Sequence, residues 1–186
     1  MTFDAAAASG KVVPMLWKLR FFWETADKAG LVFATYLVCV VGGLALAANL
    51  VFAERDAQAA RVRDFHATSL QCLARNVYYE ARGESMAGQY AVAEVTMNRK
   101  ASLGYPKTVC EVVYQKDAFS WTGVDGLDAP AGQSWQRAIK VAQDVYYGRR
   151  PAELHGVTHY HATYVQPEWS KERERVAKIG RHVFYR

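Results

Sequence analysis

Residues 70–99 read LQCLARNVYYEARGESMAGQYAVAEVTMNR, and this stretch predicts two helices that meet at a sharp joint. Thr68 and Gln71 match a capping box, so we expect the first helix to begin there. Apolar residues then recur at helical spacing, namely Leu70, Leu73, Ala74, Val77, Tyr78 and Ala81. Gly83 is suited to the left-handed conformation that ends a helix. The pattern therefore predicts a helix over residues 68–82 and a joint at Gly83.

The joint has a carboxylate on each side. Glu80 falls in the last turn of the first helix, and Glu84 follows the joint, directly before Ser85, which can cap the second helix. The partial negative charge of a helix C-terminus and burial beside tyrosines both disfavour an ionised carboxylate. We therefore expect a raised pKa for Glu80, as a general acid needs near neutral pH. The alternative is a solvated glutamate paired with Arg75 or Arg82.

The remaining sequence predicts more helices and a small sheet. The predicted elements are a second helix from residue 86 that ends before Gly104 and Pro106, a short helix over 108–115 opened by a capping box of Thr108 and Glu111, a loop over 117–128, an amphipathic helix over 133–147 stopped by Gly148, and strands over 157–165 and 179–185. Helices dominate and the strands come late in the chain. The predicted fold class is therefore α+β.

Residues 31–53 carry no charge, and they exceed the ~18 apolar residues that mark a transmembrane helix. We predict an N-terminal cytoplasmic segment at 1–28, a transmembrane signal anchor at 29–53, a helical linker at 54–67 and a globular domain at 68–186. A signal peptide cleaved near Ala53 is the alternative. Lysine and arginine flank the run almost equally, so charge does not fix its orientation.

Composition narrows the function only slightly. The chain has 186 residues, 51% hydrophobic and 22% charged, which suits one globular domain with an appendage. Its net charge of +5 is mild. No basic run with interleaved aromatics and no glycine-rich phosphate loop occurs, so we predict neither a nucleic-acid partner nor a nucleotide cofactor.

Two of the three cysteines lie in the predicted globular domain. Cys72 is in the first helix and Cys110 in the short third helix, whereas Cys39 lies in the apolar run. If the domain is exported, a disulfide between Cys72 and Cys110 would join the helix of Glu80 to the segment after the second helix. Two buried free thiols are the alternative.

Several short motifs, in order, resemble a known family. They are YYEARGES at 78–85, GQYAVAEVTMNR at 88–99, YPKTVCEVVYQ at 105–115, FSW at 119–121, HYH at 159–161 and IGRHVFY at 179–185. Together they resemble the SleB-type cell wall hydrolases, relatives of the spore-cortex lytic enzymes that cut peptidoglycan glycan strands. The resemblance covers residues 68–186. It implies a lysozyme-like, mostly helical fold, and one catalytic glutamate in EARGE, which we assign to Glu80.

Aromatic and polar residues are the predicted substrate contacts. Phe119, Ser120 and Trp121 are the best candidates for a sugar-binding wall, because an indole can pack on a pyranose while polar groups hold its hydroxyls. The alternative is a loop aromatic packed into the core. The other predicted substrate contacts are Tyr79, Gln89, Tyr160 and His161. Asn98 and Arg99 could orient Glu80 or bind substrate, or serve only as ordinary polar contacts.

A metal site is the sharpest rival chemistry. His159 and His161 are two residues apart in a predicted strand, so they share a face, and His182 could join them around zinc. Glu80 or Glu84 would then be the base of a metal-dependent hydrolase. No HExxH helix is present, and aromatic-rich strands often hold packed histidines. We therefore predict no metal and no cofactor.

The mechanism depends on whether Glu80 has a partner. Two-carboxylate glycosidases place the pair ~5 Å or ~6.5–9.5 Å apart, and Glu84, Asp125 and Asp128 are the candidates. In the one-carboxylate scheme, Glu80 protonates the glycosidic oxygen and then activates the muramic acid 6-hydroxyl, which closes a 1,6-anhydro ring. The resemblance supports this lytic transglycosylation, at the β-1,4 bond between N-acetylmuramic acid and N-acetylglucosamine.

The other functions left open are a water-using muramidase or glucosaminidase and a non-catalytic wall-binding anchor. In each case the expected partners are peptidoglycan glycan strands and, through residues 29–53, a membrane. A domain that acts on the wall must lie outside the cytoplasm. We therefore expect an inner-membrane protein whose globular domain faces the periplasmic side.

Overall fold

The structure, a computed structural model, describes residues 27–186, so nearly all of the predicted cytoplasmic segment lies outside the described residues. The helices are α1 (Lys28–Ala81), α2 (Met86–Ala101), α3 (Val109–Val113) and α4 (Gly132–Tyr146). Two short 3-10 helices cover Ser120–Gly123 and Glu168–Lys171, and the strands are β1 (His159–Ala162), β2 (Arg175–Ile179) and β3 (His182–Tyr185). The prediction of a mostly helical α+β fold with a small sheet is confirmed.

The chain divides into two compact units, Met1–Gln58 and Ala59–Arg186. The described part of the first unit is the N-terminal portion of α1, whose large apolar side chains are exposed, among them Phe33, Leu44 and Leu50. Within residues 27–186, α1 is the one helix long and apolar enough to cross a membrane. A signal sequence would pass the same test, so the predicted anchor and the predicted domain boundaries stay predictions.

Helix α1 shows no break at Thr68, so the predicted helix start at that residue is wrong. The residues before it, ERDAQAARVRDFHA at 54–67, contain no proline or glycine and are mostly good helix formers. Extending an existing helix costs less free energy than nucleating a new one. A local capping motif therefore did not interrupt the helix.

The joint after α1 is a tight turn. Helix α1 ends at Ala81, and the backbone N–H of Glu84 donates to the Ala81 carbonyl at 2.9 Å. Gly83 does not have a positive φ, so the predicted left-handed stop at this glycine is wrong. Ser85 caps α2 as predicted, because its Oγ accepts the Gly88 N–H at 3.3 Å.

Helix α2 lies between the two hydrophobic clusters of the second unit. One cluster is formed by residues of all four helices, including Leu73, Val77, Ala93, Val109, Val113, Val141 and Ala142. The other joins α2 to the sheet through Ala91, Val95, Leu154, Val157 and Phe184. Fully buried Asn76 of α1 donates to Thr96 of α2 at 3.0 Å, which satisfies a polar group inside this core. The burial on both faces explains why α2 is so apolar.

The elements after α2 largely follow their local signals. The capping box of Thr108 and Glu111 is present and opens α3, which ends at Val113 instead of Gln115. Helix α4 is followed by Gly148 with φ of 63°, so the predicted glycine stop is confirmed. The loop predicted over 117–128 contains the short 3-10 helix that carries Ser120 and Trp121.

The sheet has three antiparallel strands in the order β1-β3-β2. Strands β1 and β3 lie within the predicted ranges, but β2 was not predicted. Ile179 pairs with His182, so Gly180 and Arg181 form a two-residue hairpin loop, with φ of 55° at Gly180. A glycine at the first position of such a loop favours a hairpin, so the sequence did contain a local signal for this turn.

A disulfide joins Cys72 of α1 to Cys110 of α3, whose Cα atoms are 5.3 Å apart. The link closes a segment of chain that contains α2, with a sequence separation of 38 residues. Cys39 is free and exposed. The bridge holds the helix that carries Glu80 against the helix that follows α2.

Candidate active site

Glu80 lies in the last turn of α1 and faces groups from two distant parts of the chain. Its Oε2 accepts a hydrogen bond from the Tyr160 hydroxyl of β1 at 3.0 Å. Its Oε1 accepts a longer one, 3.4 Å, from the Ser120 hydroxyl at the start of the first 3-10 helix. The fold thus brings together three residues that the sequence analysis assigned to catalysis or to substrate contact.

The pKa of Glu80 is raised above its ordinary value because burial disfavours the charged form. The hydrogen bonds from Tyr160 and Ser120 and the positive charge of Arg99 act in the opposite direction and limit the increase. The surroundings of the Glu80 carboxyl group therefore stabilise both its protonated and its ionised form. Burial favours the protonated acid, and the surrounding donors stabilise the carboxylate once a proton has left.

Tyr160 is a stable hydrogen-bond donor to Glu80. Burial and the neighbouring Glu80 carboxylate raise the pKa of its phenol well above the usual range, so the hydroxyl keeps its proton at any physiological pH. Its ring is fixed from one side by His182 and Phe184, at centroid distances of 5.2 and 5.5 Å. Strand β1 therefore supplies the Glu80 site with a donor that does not ionise.

Glu80 opens into a polar cavity of about 470 Å³. The residues that line this cavity are Tyr79, Glu80, Arg99, Ala118, Phe119, Ser120, Tyr160, His161, Ala162, Tyr164, Val165 and His182. Among the residues that the structure describes, Glu80 is the one carboxylate on this wall. We call this space the Glu80 cavity.

Arg99 of α2 lies behind the Glu80 cavity and is buried. Its guanidinium donates to the Thr158 carbonyl at 2.7 Å and lies 4.9 Å from the centroid of the Phe119 ring. These contacts fix a positive charge close to Glu80 without forming an ion pair with it. Asn98, considered with Arg99 from the sequence, instead donates to the carbonyls of Leu154 and Val157 and anchors that loop.

Glu84 has different surroundings, although it was predicted as a second catalytic carboxylate. Its Oε1 accepts from the Arg181 side chain at 2.6 Å, and its Oε2 accepts from the Arg181 backbone N–H at 3.1 Å. Burial alone would raise the pKa of Glu84, but these bonds from Arg181 outweigh burial and lower it. Glu84 does not line the Glu80 cavity. Its carboxylate holds the β2–β3 hairpin against the joint between α1 and α2.

Two of the predicted sugar-wall residues pack largely into the domain. Phe119 is buried beneath the Arg99 guanidinium and is one of the residues that line the Glu80 cavity. Trp121 stacks on Tyr79 with centroids 4.6 Å apart, and its indole N–H donates to buried Asn76 at 2.9 Å. Trp121 does not line the Glu80 cavity. Contact between Trp121 and a sugar therefore stays a prediction.

Of the other predicted substrate contacts, some line the Glu80 cavity and one is buried away from it. Tyr79 and His161 line the Glu80 cavity, and the Tyr79 hydroxyl donates to the Asp128 carbonyl at 2.8 Å. The His161 ring stacks on Tyr185, and its Nε2 lies 2.9 Å from that hydroxyl. Gln89 is buried away from the cavity, where its amide donates to the Glu84 carbonyl at 3.2 Å. Gln89 thus supports the joint.

The three histidines considered as zinc ligands do not converge. His182 pairs with Ala162 across the sheet, whereas His161 pairs with Val183. Because directly paired residues project from the same face, His182 lies on the face opposite to His159 and His161. In the described part of the chain, no three histidine, cysteine, aspartate or glutamate side chains are grouped to hold a metal ion. The strand register therefore does not produce the convergence that the rival metal hypothesis requires.

Some residues that hold the site from outside the central motif were not predicted from the sequence. Arg181 and Asn76 are the clearest examples, the first bound to Glu84 and the second to Trp121. The glycine of the hairpin was a signal for the position of Arg181. Nothing in the sequence pairs Asn76 with Trp121, which are 45 residues apart.

The fold and the site define a class of protein. A small helical domain places one carboxylic acid with a raised pKa in an open polar cavity, an arrangement suited to acid–base chemistry on a polar substrate. A family model described as Cell Wall Hydrolase matches residues 83–185, beginning three residues after Glu80. The chain therefore belongs to the cell wall hydrolase family, and the resemblance found in the sequence is confirmed.

Curated relatives agree with this family. The spore cortex-lytic enzymes of Bacillus cereus and Halalkalibacterium halodurans are 30% and 32% identical to this chain over 115 and 116 residues. Each alignment covers 62% of this chain, and 43% and 34% of the respective relative. The spore cortex-lytic enzyme of Bacillus subtilis is 29% identical over 132 residues, 70% of this chain and 42% of that protein. The chain thus spans less than half the length of these relatives.

The fold is similar to that of solved SleB catalytic domains. The catalytic domain of the Bacillus cereus SleB protein is similar with a TM-score of 0.55 and 29% identity, covering 63% of this chain and 89% of that one. The catalytic domain of the germination-specific lytic transglycosylase SleB from Bacillus anthracis has the same TM-score and identity and is covered to 93%. The second unit therefore has the fold of the SleB catalytic domain.

Proposed function

We propose that this protein is a lytic transglycosylase that cuts the β-1,4 bond between N-acetylmuramic acid and N-acetylglucosamine in peptidoglycan. Glu80 is its general acid and base. One observation carries the proposal: Glu80 is the single carboxyl group on the wall of its cavity in the described chain, and burial raises its pKa. A one-carboxylate mechanism fits this site better than a mechanism that needs a second acid nearby.

In the first step, protonated Glu80 gives its proton to the glycosidic oxygen as the bond from C1 of the muramic acid breaks. The Tyr160 hydroxyl donates to Oε2 at 3.0 Å, whereas the Ser120 bond to Oε1 is longer at 3.4 Å, so we place the transferable proton on Oε1. The leaving N-acetylglucosamine gains the proton as its 4-hydroxyl. The Tyr160 bond and the Arg99 charge stabilise the carboxylate that remains.

In the second step, the Glu80 carboxylate takes the proton of the muramic acid 6-hydroxyl. The 6-oxygen bonds to C1 and closes a 1,6-anhydro ring, which restores protonated Glu80. The electron pair lost by C1 to the leaving oxygen is thereby replaced by one from its own 6-oxygen. No water is consumed, so the reaction needs no second carboxylate to activate one.

Glu84 has a supporting role in this proposal. Both of its oxygens are occupied by Arg181, and a lowered pKa keeps it ionised at neutral pH. An ionised carboxylate cannot donate a proton to a leaving group. We therefore assign Glu84 to the stability of the hairpin, and not to catalysis.

The location follows from the same proposal. Residues 29–53 anchor the protein in the bacterial inner membrane, and the second unit acts on the extracytoplasmic side, where peptidoglycan lies. One long apolar helix with an exposed surface supports an anchor. N-terminal sequencing of the protein from membrane fractions distinguishes the anchor from a signal peptide. An intact N-terminus supports the anchor, whereas a new N-terminus at Glu54 would mean cleavage after Ala53.

The activity test is a digest of purified peptidoglycan by the full chain in detergent, compared with Glu80→Gln. Mass spectrometry of the products then identifies the reaction. Lytic transglycosylation predicts 1,6-anhydro muropeptides, one water lighter than hydrolysis products, that are lost in Glu80→Gln. Glu84→Gln is the matched control, because it also neutralises one carboxylate in the same motif.

Each other result contradicts part of the proposal. Hydrated reducing ends that depend on Glu80 would mean a water-using muramidase or glucosaminidase, depending on the sugar at the new end. Equal cleavage by Glu80→Gln would remove Glu80 from the mechanism. An absence of cleavage by the wild-type chain, together with retained wall binding, would favour a non-catalytic anchor.

A further inference from the structure

A second cavity adjoins the Glu80 cavity and is not used by the proposed mechanism. It also has a volume of about 470 Å³, and its wall includes Arg99, Ala118 and Tyr160, which line the Glu80 cavity too. The two cavities are therefore neighbours that share part of one wall. We call the second one the basic cavity, after the charge of its lining.

Three cations line the basic cavity, namely Arg99, Lys116 and Arg173, against a single acid, Asp117. His159 adds no positive charge near neutral pH, because burial and the charges of Arg173 and Arg99 lower its pKa to about 4. The cavity thus has an excess of two positive charges next to the candidate catalytic acid. Such an excess in a concave space attracts anionic groups.

Two of the three cations, those of Lys116 and Arg173, have no carboxylate partner within the described residues. Lys116 and Arg173 are exposed, and neither forms an ion pair there, in contrast to Lys140, Arg150 and Arg181, which each hold a carboxylate. Their side chains are available to a ligand. Buried Arg99 gives the cavity a fixed charge at its inner wall, where its guanidinium is already held by the Thr158 carbonyl.

The basic cavity also has an aromatic wall. Trp169, from the second 3-10 helix, lies against His159 with ring centroids 5.3 Å apart, and Tyr105 approaches the same imidazole. Aromatic faces beside cations suit a ligand with both carboxylates and short aliphatic groups. A bare phosphate would use the cations alone.

We propose that the basic cavity binds the carboxylates of the peptide stem carried by the muramic acid residue. In peptidoglycan the lactyl group of each muramic acid carries a short peptide with free carboxylates and alanine methyl groups. That combination matches the cations and the aromatic wall. The inference rests on the proposed function, because it takes the sugar in the Glu80 cavity to be muramic acid.

The consequence is a preference for glycan strands that keep their stems. Lys116 and Arg173 contribute to recognition and not to bond cleavage, since the mechanism is complete without them. Because both side chains are exposed, their attraction to carboxylates should weaken as salt is added. The contribution is therefore one of binding strength and substrate choice.

The experiment measures binding without turnover, using the full chain in detergent with Glu80→Gln. Its ligands are a peptidoglycan tetrasaccharide with tetrapeptide stems and the same tetrasaccharide after an amidase has removed the stems. The test variant adds K116Q and R173Q to Glu80→Gln. The matched control adds R137Q and K178Q, which remove two positive charges from exposed residues that line neither cavity.

We expect K116Q and R173Q to weaken binding of the stem-bearing ligand about fivefold to twentyfold, equivalent to the loss of two screened charge contacts. Binding of the stem-free ligand should change less than twofold, and the R137Q and K178Q control should retain binding of both. Equal weakening for both ligands would overturn the proposal, as would unchanged binding of the stem-bearing ligand. Cleavage by the wild-type chain tests the proposed function separately, so a failure of the proposed function can be distinguished from a failure of this inference.

Discussion

Glu80 and Glu84 are four residues apart in one motif, but the fold gives them opposite surroundings. Glu80 faces an open cavity with hydroxyl donors and has a raised pKa, whereas Glu84 is held by Arg181 and has a lowered pKa. The difference arises from their partners. Burial makes a carboxyl group beside hydroxyl donors hold its proton to a higher pH than usual, whereas a carboxylate bound by a guanidinium and a backbone N–H stays ionised to a lower pH.

Glu84 contributes to the stability of the fold, whereas Glu80 is placed for reactivity. The Glu84 side chain is 5% exposed, and its ion pair joins the α1–α2 joint to the hairpin of β2 and β3. Glu80 instead carries the energetic cost of a partly buried carboxyl group without a direct ion pair. Functional groups of this kind commonly reduce stability in return for reactivity. Substitutions at the two glutamates should therefore affect different properties of the protein.

The largest expected effect is on catalysis by Glu80→Gln. Glutamine keeps the shape and can still accept from Tyr160, but it cannot transfer a proton. We expect the rate of peptidoglycan cleavage to fall about 10²–10⁴-fold, the usual contribution of a general acid–base group. Release of anhydro muropeptides from purified wall measures this rate. A decrease of less than tenfold would assign the proton transfer to another residue.

Tyr160→Phe should have the next largest effect, because it removes the donor to Oε2 of Glu80. Loss of a hydrogen bond to the ionised form should raise the pKa of Glu80 further and lower the rate about tenfold or more. Activity depends on protonated Glu80, so the alkaline limb of the pH–rate profile should move to higher pH. A profile that moves to lower pH would contradict the arrangement. Tyr185→Phe, which alters a hydroxyl bonded to His161 instead, is the control.

Glu84→Gln should change stability more than chemistry. Ionised Glu84 stabilises the fold because its pKa is lowered there, so this stabilisation is present above the unfolded-state pKa and is lost as pH falls through the folded-state pKa. We expect Glu84→Gln to lower the free energy of unfolding at pH 7 by about 1–2 kcal/mol. The expected change is small because Arg181 is exposed and solvent screens its charge.

Denaturant titrations at pH 7 and at acid pH measure that change, which should shrink at acid pH. The cleavage rate at pH 7 should remain within about threefold of wild type, a difference small on the scale of general acid–base catalysis. A large loss of rate with unchanged stability would instead restore Glu84 as a catalytic partner.

The smallest effect expected is a gain of stability in Glu80→Gln. The raised pKa of Glu80 means that its contribution to stability is fully present below the unfolded-state pKa and is lost as pH rises through the folded-state pKa. Replacement by glutamine should therefore stabilise the protein at pH 7 by about 1 kcal/mol, a common size for one stabilising substitution. Thermal unfolding at pH 7 and pH 4 should show a larger gain at pH 7. An equal gain at both values would point to packing instead of ionisation.

Much of the local structure was predictable because its causes are local. The Ser85 cap, the capping box of Thr108 and Glu111 and the Gly148 stop each depend on residues within one helical turn. The start assigned to Thr68 was wrong because a capping motif cannot interrupt a helix that continues from favourable residues on its N-terminal side. Strand β2 was missed because RVAKI has charged residues at both exposed positions and lacks a strong alternation.

The sequence by itself determined the family, the helical framework and the presence of a glutamate at the joint after α1. Only the tertiary structure decided how the two glutamates differ, since Tyr160 is 80 residues from Glu80 and Arg181 is 97 residues from Glu84. The strand register likewise separated His182 from His161. A pKa and a convergence of side chains depend on neighbours in space, and the chain brings those neighbours together only when β1 and the β2–β3 hairpin pack beside the helices.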